Sequence, residues 1–349
     1  MVKLNKKMFA LVVFLLLLVV TFIVTLGGFL NLQGRKIYVD ISGKRDFISI
    51  QDAINYSNDG DTIFVSDGSY YEHLFINKSI SLKGSKNTKI YPVNTSLNEN
   101  SIIYIAADNC LIEGFKMNNK DSLSNLICIY VYSSKNKINN NIISKYEFGI
   151  YLKDEVNNGN VYTGNNFSNN KISNCNYGIY IRANANNNVI FNNELVDNTD
   201  GMNLYYSVNN SIIGNLAHSN TLYGIFLNLY SDGNKVIRNV CTENRYGIRF
   251  KSVSYNEIFL NRLENNVYGL YSCCGACDNI IYKNTFIDNK WNASDSFVNS
   301  WDNGVEGNYW EEYTKLYPNA TKVGNHWSVP YDIQGGDNND NYPLVNPPV

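Results

Sequence analysis

Six glycines recur through the middle of the chain at nearly constant spacing. They stand at positions 149, 178, 201, 224, 247 and 269, so the intervals are 29, 23, 23, 23 and 22 residues. Each opens a similar tetrad: Gly149-Ile150-Tyr151-Leu152, Gly178-Ile179-Tyr180-Ile181, Gly224-Ile225-Phe226-Leu227 and Gly247-Ile248-Arg249-Phe250 repeat one theme, with Gly201-Met202-Asn203-Leu204 and Gly269-Leu270-Tyr271-Ser272 in phase. A second mark keeps the same period: Asn141, Asn170, Asn193, Asn215, Asn239, Asn261 and Asn284. In five units another asparagine follows five residues later, at Asn198, Asn220, Asn244, Asn266 and Asn289. The one long interval holds a polar insertion near residues 157–160.

Within each unit the first and third residues after glycine are apolar, which is the period-2 signature of a strand with one buried face. Two further apolar columns run in step: Ile190, Ile212, Val236, Ile258 and Ile281, then Ile172, Leu195, Ala217, Cys241, Leu263 and Phe286. Three short strands per turn of about 23 residues describe an all-β parallel solenoid in which like residues stack on like. A β-propeller blade needs about 40 residues or more. Stacked asparagines have a physical use here: they tolerate bent backbone and can pass an amide to a carbonyl of the adjacent turn.

Composition agrees. The 349 residues include 59 Asn and 27 Tyr, both poor helix formers, and no proline falls between Pro92 and Pro318. With 44% hydrophobic residues and 17% charged ones, disorder is excluded; a net charge of −2 gives no basic footprint for nucleic acid.

Four regions follow. Residues 1–34 hold Lys3, Lys6 and Lys7 ahead of an uncharged run, residues 8–30, whose 23 residues would span about 34 Å as a helix. This predicts a single transmembrane signal-anchor with the bulk of the chain outside the membrane; Gly27-Gly28 keeps cleavage open. Residues 35–98 form an amino-terminal cap and first turns, with a strand at 36–40 and a short amphipathic helix at 47–54. Residues 99–290 are the regular repeats. Residues 291–349 hold all four tryptophans and read as an irregular carboxy-terminal cap. Seven Asn-x-Ser/Thr acceptors, at Asn55, Asn77, Asn94, Asn166, Asn209, Asn292 and Asn319, agree with an exterior location, although so asparagine-rich a chain produces them by chance.

The opening segments Tyr38-Val39-Asp40, Ile50-Gln51-Asp52-Ala53-Ile54, Gly60-Asp61-Thr62-Ile63 and Gly68-Ser69-Tyr70-Tyr71-Glu72 resemble the start of right-handed parallel β-helix proteins of the pectate-lyase-like and NosD-like kinds. The closing Gly307-Asn308-Tyr309-Trp310, Pro330-Tyr331-Asp332-Ile333 and Asp340-Asn341-Tyr342-Pro343-Leu344 resemble the tail of NosD-like archaeal surface proteins. The resemblance covers about residues 36–349. It implies a right-handed β-helix at a surface or in a periplasm, and in some members a part in maturing the copper site of nitrous oxide reductase. It carries no activity by itself.

Three chemistries are candidates. For polysaccharide cleavage, Asn198-Thr199-Asp200-Gly201 resembles the Asn-Thr-Asp box of polygalacturonases. Only Asp200 departs from what the repeat already explains, and its acidic partners and a Gly-His-Gly are missing, so Asp200 is the single catalytic candidate. For sugar binding, outward positions carry Tyr151, Tyr180, Phe226, Arg249 and Tyr271, with Lys153, Arg182, Tyr205 and Lys251 two residues on. These predict a continuous exposed ribbon of rings and cations suited to uronate or sulfate sugars; cross-strand tyrosine stacking is the purely structural alternative. For metal, Cys273, Cys274 and Cys277 cluster at the last regular turn, where copper or zinc, a disulfide or free thiols are open, the disulfide first for an exterior protein. Asp337-x-Asn339-x-Asn341 begins like a calcium loop but lacks its sixth-position glycine and terminal glutamate, and reads as a turn. The leading expectation is non-catalytic binding or organisation of surface polysaccharide. A lyase, hydrolase or epimerase of uronic glycans is the alternative, and a NosD-like copper accessory the second.

Overall fold

The computed structural model describes residues 34–93, 100–120, 125–153 and 161–348. The apolar run at residues 8–30 and the insertion near 157–160 lie outside them. Among the described residues no helix is long and apolar enough to cross a membrane.

The chain winds as a right-handed parallel β-solenoid of about 11 turns. Each turn contributes one strand to each of three sheets. Sheet I has 11 strands, from Lys36–Val39 to Ile280–Tyr282; sheet II has 11, from Gly68–Tyr71 to Tyr309–Trp310; sheet III has 10, from Leu74–Ile76 to Trp291–Asp295. Neighbouring strands pair in strict register, so Ile179 faces Met202, Met202 faces Ile225, and Ile225 faces Ile248. The expected apolar columns are fully buried, including Ile190, Ile212, Val236 and Ile258 from sheet I and Leu195, Ala217, Cys241 and Leu263 from sheet II.

The corners explain the asparagines. Both expected ladders are present, and the Asn141 ladder continues beyond Asn284 to Asn308. Each ladder side chain accepts, through Oδ1, the backbone N–H of the ladder residue one turn earlier. Through Nδ2 it donates to a carbonyl of that earlier turn. Asn215 takes the Asn193 N–H at 2.9 Å and donates to the Ile190 carbonyl at 2.9 Å. A third ladder runs at the remaining corner through Asn136, Asn165, Asn188, Asn210, Asn234, Asn256, Asn279 and Asn299. The left-handed residue is the one just before the ladder position, as at Asn192, Arg238 and Leu260. The bend and the bond are therefore divided between two adjacent residues.

The recurring glycines answer a contact. A Cβ on Gly201 would sit 2.7 Å from the Gly224 carbonyl oxygen and 3.0 Å from Asn220 Nδ2. At the amino end the helix α1, Ile50–Tyr56, starts three residues later than the sequence suggests. Ser49 caps it, and Glu72 accepts from Ser49 Oγ and from the N–H groups of Ile50 and Gln51. Ile50, Ala53 and Ile54 plug the core. At the other end Trp310 stacks on Phe286 at 4.4 Å and on Tyr331 at 4.0 Å, with Trp301 beside it. Two of the four tryptophans thus close the core. Trp291 instead continues sheet III, opposite Tyr268, and Trp327 packs on Tyr313.

Candidate functional site

The outer face of sheet III carries three columns in register. The residue before each glycine gives Phe148, Tyr177, Asp200, Tyr223, Tyr246 and Tyr268. The residue two after gives Tyr151, Tyr180, Asn203, Phe226, Arg249 and Tyr271, preceded by Phe75, Tyr104 and Tyr130. The third column is Lys153, Arg182, Tyr205, Asn228, Lys251 and Cys273.

The ribbon of rings and cations exists, but it is not continuously exposed as the sequence suggests. Tyr151 is only 7% exposed and Phe226 only 6%. The strand repeat of about 4.8 Å is close to the spacing of stacked rings. Tyr151 therefore lies between Tyr130 and Tyr180, at 5.5 and 5.3 Å, while Phe148 covers its flank at 4.6 Å. The residue before each glycine lies on the same outer face as the residue two after it, so two ring columns crowd that face. Tyr180, Arg249, Tyr271, Tyr205, Lys153, Arg182 and Lys251 remain partly exposed. Most of the run offers ring edges and hydroxyls, not open ring faces.

One rung interrupts it. Asp200 and Asn203 replace both rings, and among the described residues no ring contact joins Tyr177 and Tyr180 to Tyr223 and Phe226 across them. Asp200 is 4% exposed, and Asn203 Nδ2 donates to its Oδ2 at 2.9 Å. Burial raises its carboxyl to about 6, opposed by that hydrogen bond and by the charge of Arg249. Among the described residues, Asn203 Oδ1 and the Nε of Arg249 are buried without a hydrogen-bond partner. Arg249 donates to the Tyr223 hydroxyl at 3.0 Å and lies over the rings of Tyr223, Phe226, Tyr246 and Tyr271. Sequence reasoning singled out Asp200 but missed its partners. The available signal was that positions 200 and 203 break two aromatic columns in one unit.

The three cysteines do not converge, and the disulfide expected first at this end is not formed: all seven cysteines are free thiols. Cys273 and Cys274 are adjacent in the chain, with sulfurs 2.8 Å apart, whereas Cys277 Sγ faces Ser254 and Asp278. Arg249 Nη2 lies 3.7 Å from Cys273 Sγ. Among the described residues no three His, Cys, Asp or Glu side chains are placed to hold a metal. Asn341 is held by Asp302 through its N–H and Nδ2, both 3.0 Å from Asp302 Oδ2.

A groove that the sequence did not reveal opens at the head of the aromatic columns. Phe75, Tyr104, Tyr132, Val161 and Tyr162 line it, with Asp108 and two serines, around a volume of about 630 Å³.

Among solved structures, the fold is similar to XylC in complex with xylose (TM-score 0.59, 12% identity, 76% of this chain and 69% of that one). It is also similar to the A-module of the Azotobacter vinelandii mannuronan C-5 epimerase AlgE4 (0.55, 14%, 70% and 72%) and to tailspike protein 2 of bacteriophage CBA120 (0.58, 12%, 76% and 43%). At such identities the likeness is one of fold. A stretch of 104 residues is 33% identical to a cell surface glycoprotein of Methanothermus fervidus, covering 29% of this chain and 16% of that protein. The match thus spans about a sixth of the relative's length. The family model described as periplasmic copper-binding protein (NosD) matches residues 23–200 and 163–315, more than half of the sequence. The chain belongs to the NosD family.

Proposed function

We propose that this is an extracytoplasmic β-helix, held at the membrane through residues 8–30, whose sheet III face binds or organises surface polysaccharide without cleaving it. The observation that carries the reading is the three-column outer face, where rings in register are interleaved with Lys153, Arg182, Arg249 and Lys251. Ring edges and hydroxyls suit the rims of sugars, and the cations suit acidic substituents. The periplasmic description of the family and the surface-glycoprotein relative support the location. The test is affinity electrophoresis of the full chain, in a detergent without a sugar headgroup, through neutral and acidic polysaccharides. Retardation that weakens in Arg182→Gln and Lys251→Gln is expected; unretarded migration through every polysaccharide refutes the reading.

A uronic-glycan enzyme is the second reading, favoured by the buried Asp200 with Arg249 as the charged group acting on it. Among the described residues no second carboxylate acts on Asp200, so paired-carboxylate hydrolysis is not built there. A base under the charge of an arginine would suit proton abstraction next to a uronate carboxyl. Cleavage or epimerisation of polyuronate abolished by Asp200→Asn supports it, and inertness toward polyuronate removes it. The family's copper does not fit the cysteines at the last regular turn. A guanidinium beside Cys273 Sγ disfavours a cuprous ion, and Cys277 is turned away.

A further inference from the structure

The last regular turn departs from the others in its sulfurs. Where sheet III leads into the next corner, earlier turns carry Arg182-Ala183, Tyr205-Tyr206 and Lys251-Ser252, so the fold has no need of thiols there. Cys273-Cys274 stands in register with Lys251-Ser252. The two sulfurs lie 2.8 Å apart as free thiols. Cys273 is buried and Cys274 exposed. A tight turn presents Cys274: the Ala276 N–H donates to the Cys273 carbonyl at 3.2 Å, and the two central residues, Cys274 and Gly275, have φ of 60° and 86°. Glycine takes that conformation freely, whereas cysteine is strained in it.

The surroundings sort the thiols. Arg249 Nη2 lies 3.7 Å from Cys273 Sγ, and its positive charge favours a thiolate there against the opposing effect of burial. Cys277 Sγ is engaged elsewhere, 3.4 Å from Ser254 Oγ and 3.2 Å from Asp278 Oδ2. The chain also spells Cys274-Gly275-Ala276-Cys277, a spacing known from redox pairs, yet the structure brings Cys274 to Cys273 instead. Neighbouring Cα atoms are about 3.8 Å apart across a trans peptide, short of the about 4.4–6.8 Å usual between bridged cysteines. A bond between these sulfurs would therefore close a strained ring, and strained, exposed disulfides are the easily reduced ones.

We propose that Cys273 and Cys274 form a two-electron redox site, a dithiol that a small-molecule disulfide converts reversibly into a bridge between neighbouring residues. Cys274, as the open thiolate, attacks the oxidant RS–SR and releases one RSH. Cys273 Sγ, held beside it, then attacks Cys274 Sγ and releases the second. One oxidant S–S bond and two protein S–H bonds break; one protein S–S bond and two RSH form, so the cysteines are oxidised and the oxidant reduced. Arg249 is a positioning residue that favours the Cys273 thiolate for the second step. Closure withdraws that sulfur from Arg249, whose other hydrogen bond among the described residues is to the Tyr223 hydroxyl, so the redox state is felt on the sheet III face. The site stands independently of the glycan reading.

The test is oxidation of the full chain in detergent. The protein is reduced with a phosphine, freed of it, exposed to oxidised glutathione, trapped with N-ethylmaleimide and digested with trypsin. The expected result is that peptide 263–283 loses two hydrogens and carries maleimide on Cys277 alone, and that reduced glutathione restores labelling of all three cysteines. Cys277→Ser should still close the bridge, and Cys273→Ser should stop at glutathione on Cys274. Arg249→Gln should slow closure by about threefold or more and move its pH dependence upward, with Arg249→Lys restoring both. A bridge from Cys274 to Cys277, a lasting glutathione adduct in the unaltered chain, or three free thiols after oxidation each overturns the proposal. Closure indifferent to Arg249→Gln overturns the part given to Arg249.

Discussion

Replacing Asn215 by alanine tests whether the asparagine ladders hold the corners. Asn215 is buried, and its side chain makes five hydrogen bonds. Oδ1 accepts from Asn193 N and Nδ2, both at 2.9 Å; Nδ2 donates to the carbonyls of Ile190 and Ile213 at 2.9 and 3.2 Å and to Asn239 Oδ1 at 3.0 Å. The backbone N–H of Asn215, bound to Asn239 Oδ1, survives the substitution. What is lost outright is the acceptor of the buried Asn193 N–H. An orphaned buried donor costs about 1–3 kcal/mol, and each further net bond lost about 0.5–1.5 kcal/mol. With four further bonds the sum is about 3–9 kcal/mol, large for one substitution. Asn215→Asp keeps an oxygen for Asn193 but turns a carboxylate toward the Ile190 carbonyl, so it should be at least as damaging. Asn192→Gly, at an exposed left-handed position, should cost less than about 1 kcal/mol. Urea unfolding followed by circular dichroism gives the midpoints and checks that the slope is unchanged. A loss below about 1 kcal/mol for Asn215→Ala would show that the ladder is a passenger of the fold.

Three further outcomes are expected. Asp200 and Asp340 hold their protons more tightly when folded, at about 6 and about 7, than the ordinary carboxyl value of 3.8; burial dominates both. The native state then binds more protons than the unfolded chain between these values, so their contribution to stability falls as pH rises from about 4 to about 7. Asp200→Asn should match wild type below about pH 4 and exceed it by up to about 3 kcal/mol above pH 7; equal pH dependence of the thermal midpoints would contradict this. Gly201→Ala should cost about 1–3 kcal/mol, because its methyl meets the Gly224 carbonyl at 2.7 Å and the rungs must part; an unchanged urea midpoint would refute the close-contact explanation. Iodoacetamide should label exposed Cys274 first and leave buried Cys110, Cys128, Cys175 and Cys241 untouched until unfolding, read by peptide mass spectrometry; burial also raises these four thiols, Cys110 to about 11 and Cys175 to about 12. Early labelling of Cys241 would place it outside the core.

The solenoid was legible because stacking turns a structural constraint into a period. Gly201 and Asn215 each answer a contact that every turn repeats, so one residue type recurs. The third ladder was hidden: Asn188 and Asn210 sit among Asn184, Asn186, Asn187 and Asn209, where abundance masks register. The period also fixed which side chains leave sheet III outward, but outward is not exposed. Whether Tyr151 is open depends on Phe148, three residues earlier and on the same face. The groove escaped because Phe75, Tyr104 and Tyr132 belong to turns ahead of Gly149, the first glycine mark, and Val161 follows the polar insertion in the one long interval. Asp108 sits in a corner that no repeat singles out.

Successive regular turns end their corners with the same bonds to the next, at Asn188, Asn193 and Asn198 as at Asn234, Asn239 and Asn244. A block of 22 or 23 residues can therefore be duplicated or excised with both new junctions chemically identical to the old ones. Overall reach is thus quantised, adjustable one coil at a time, while the two closures stay as they are.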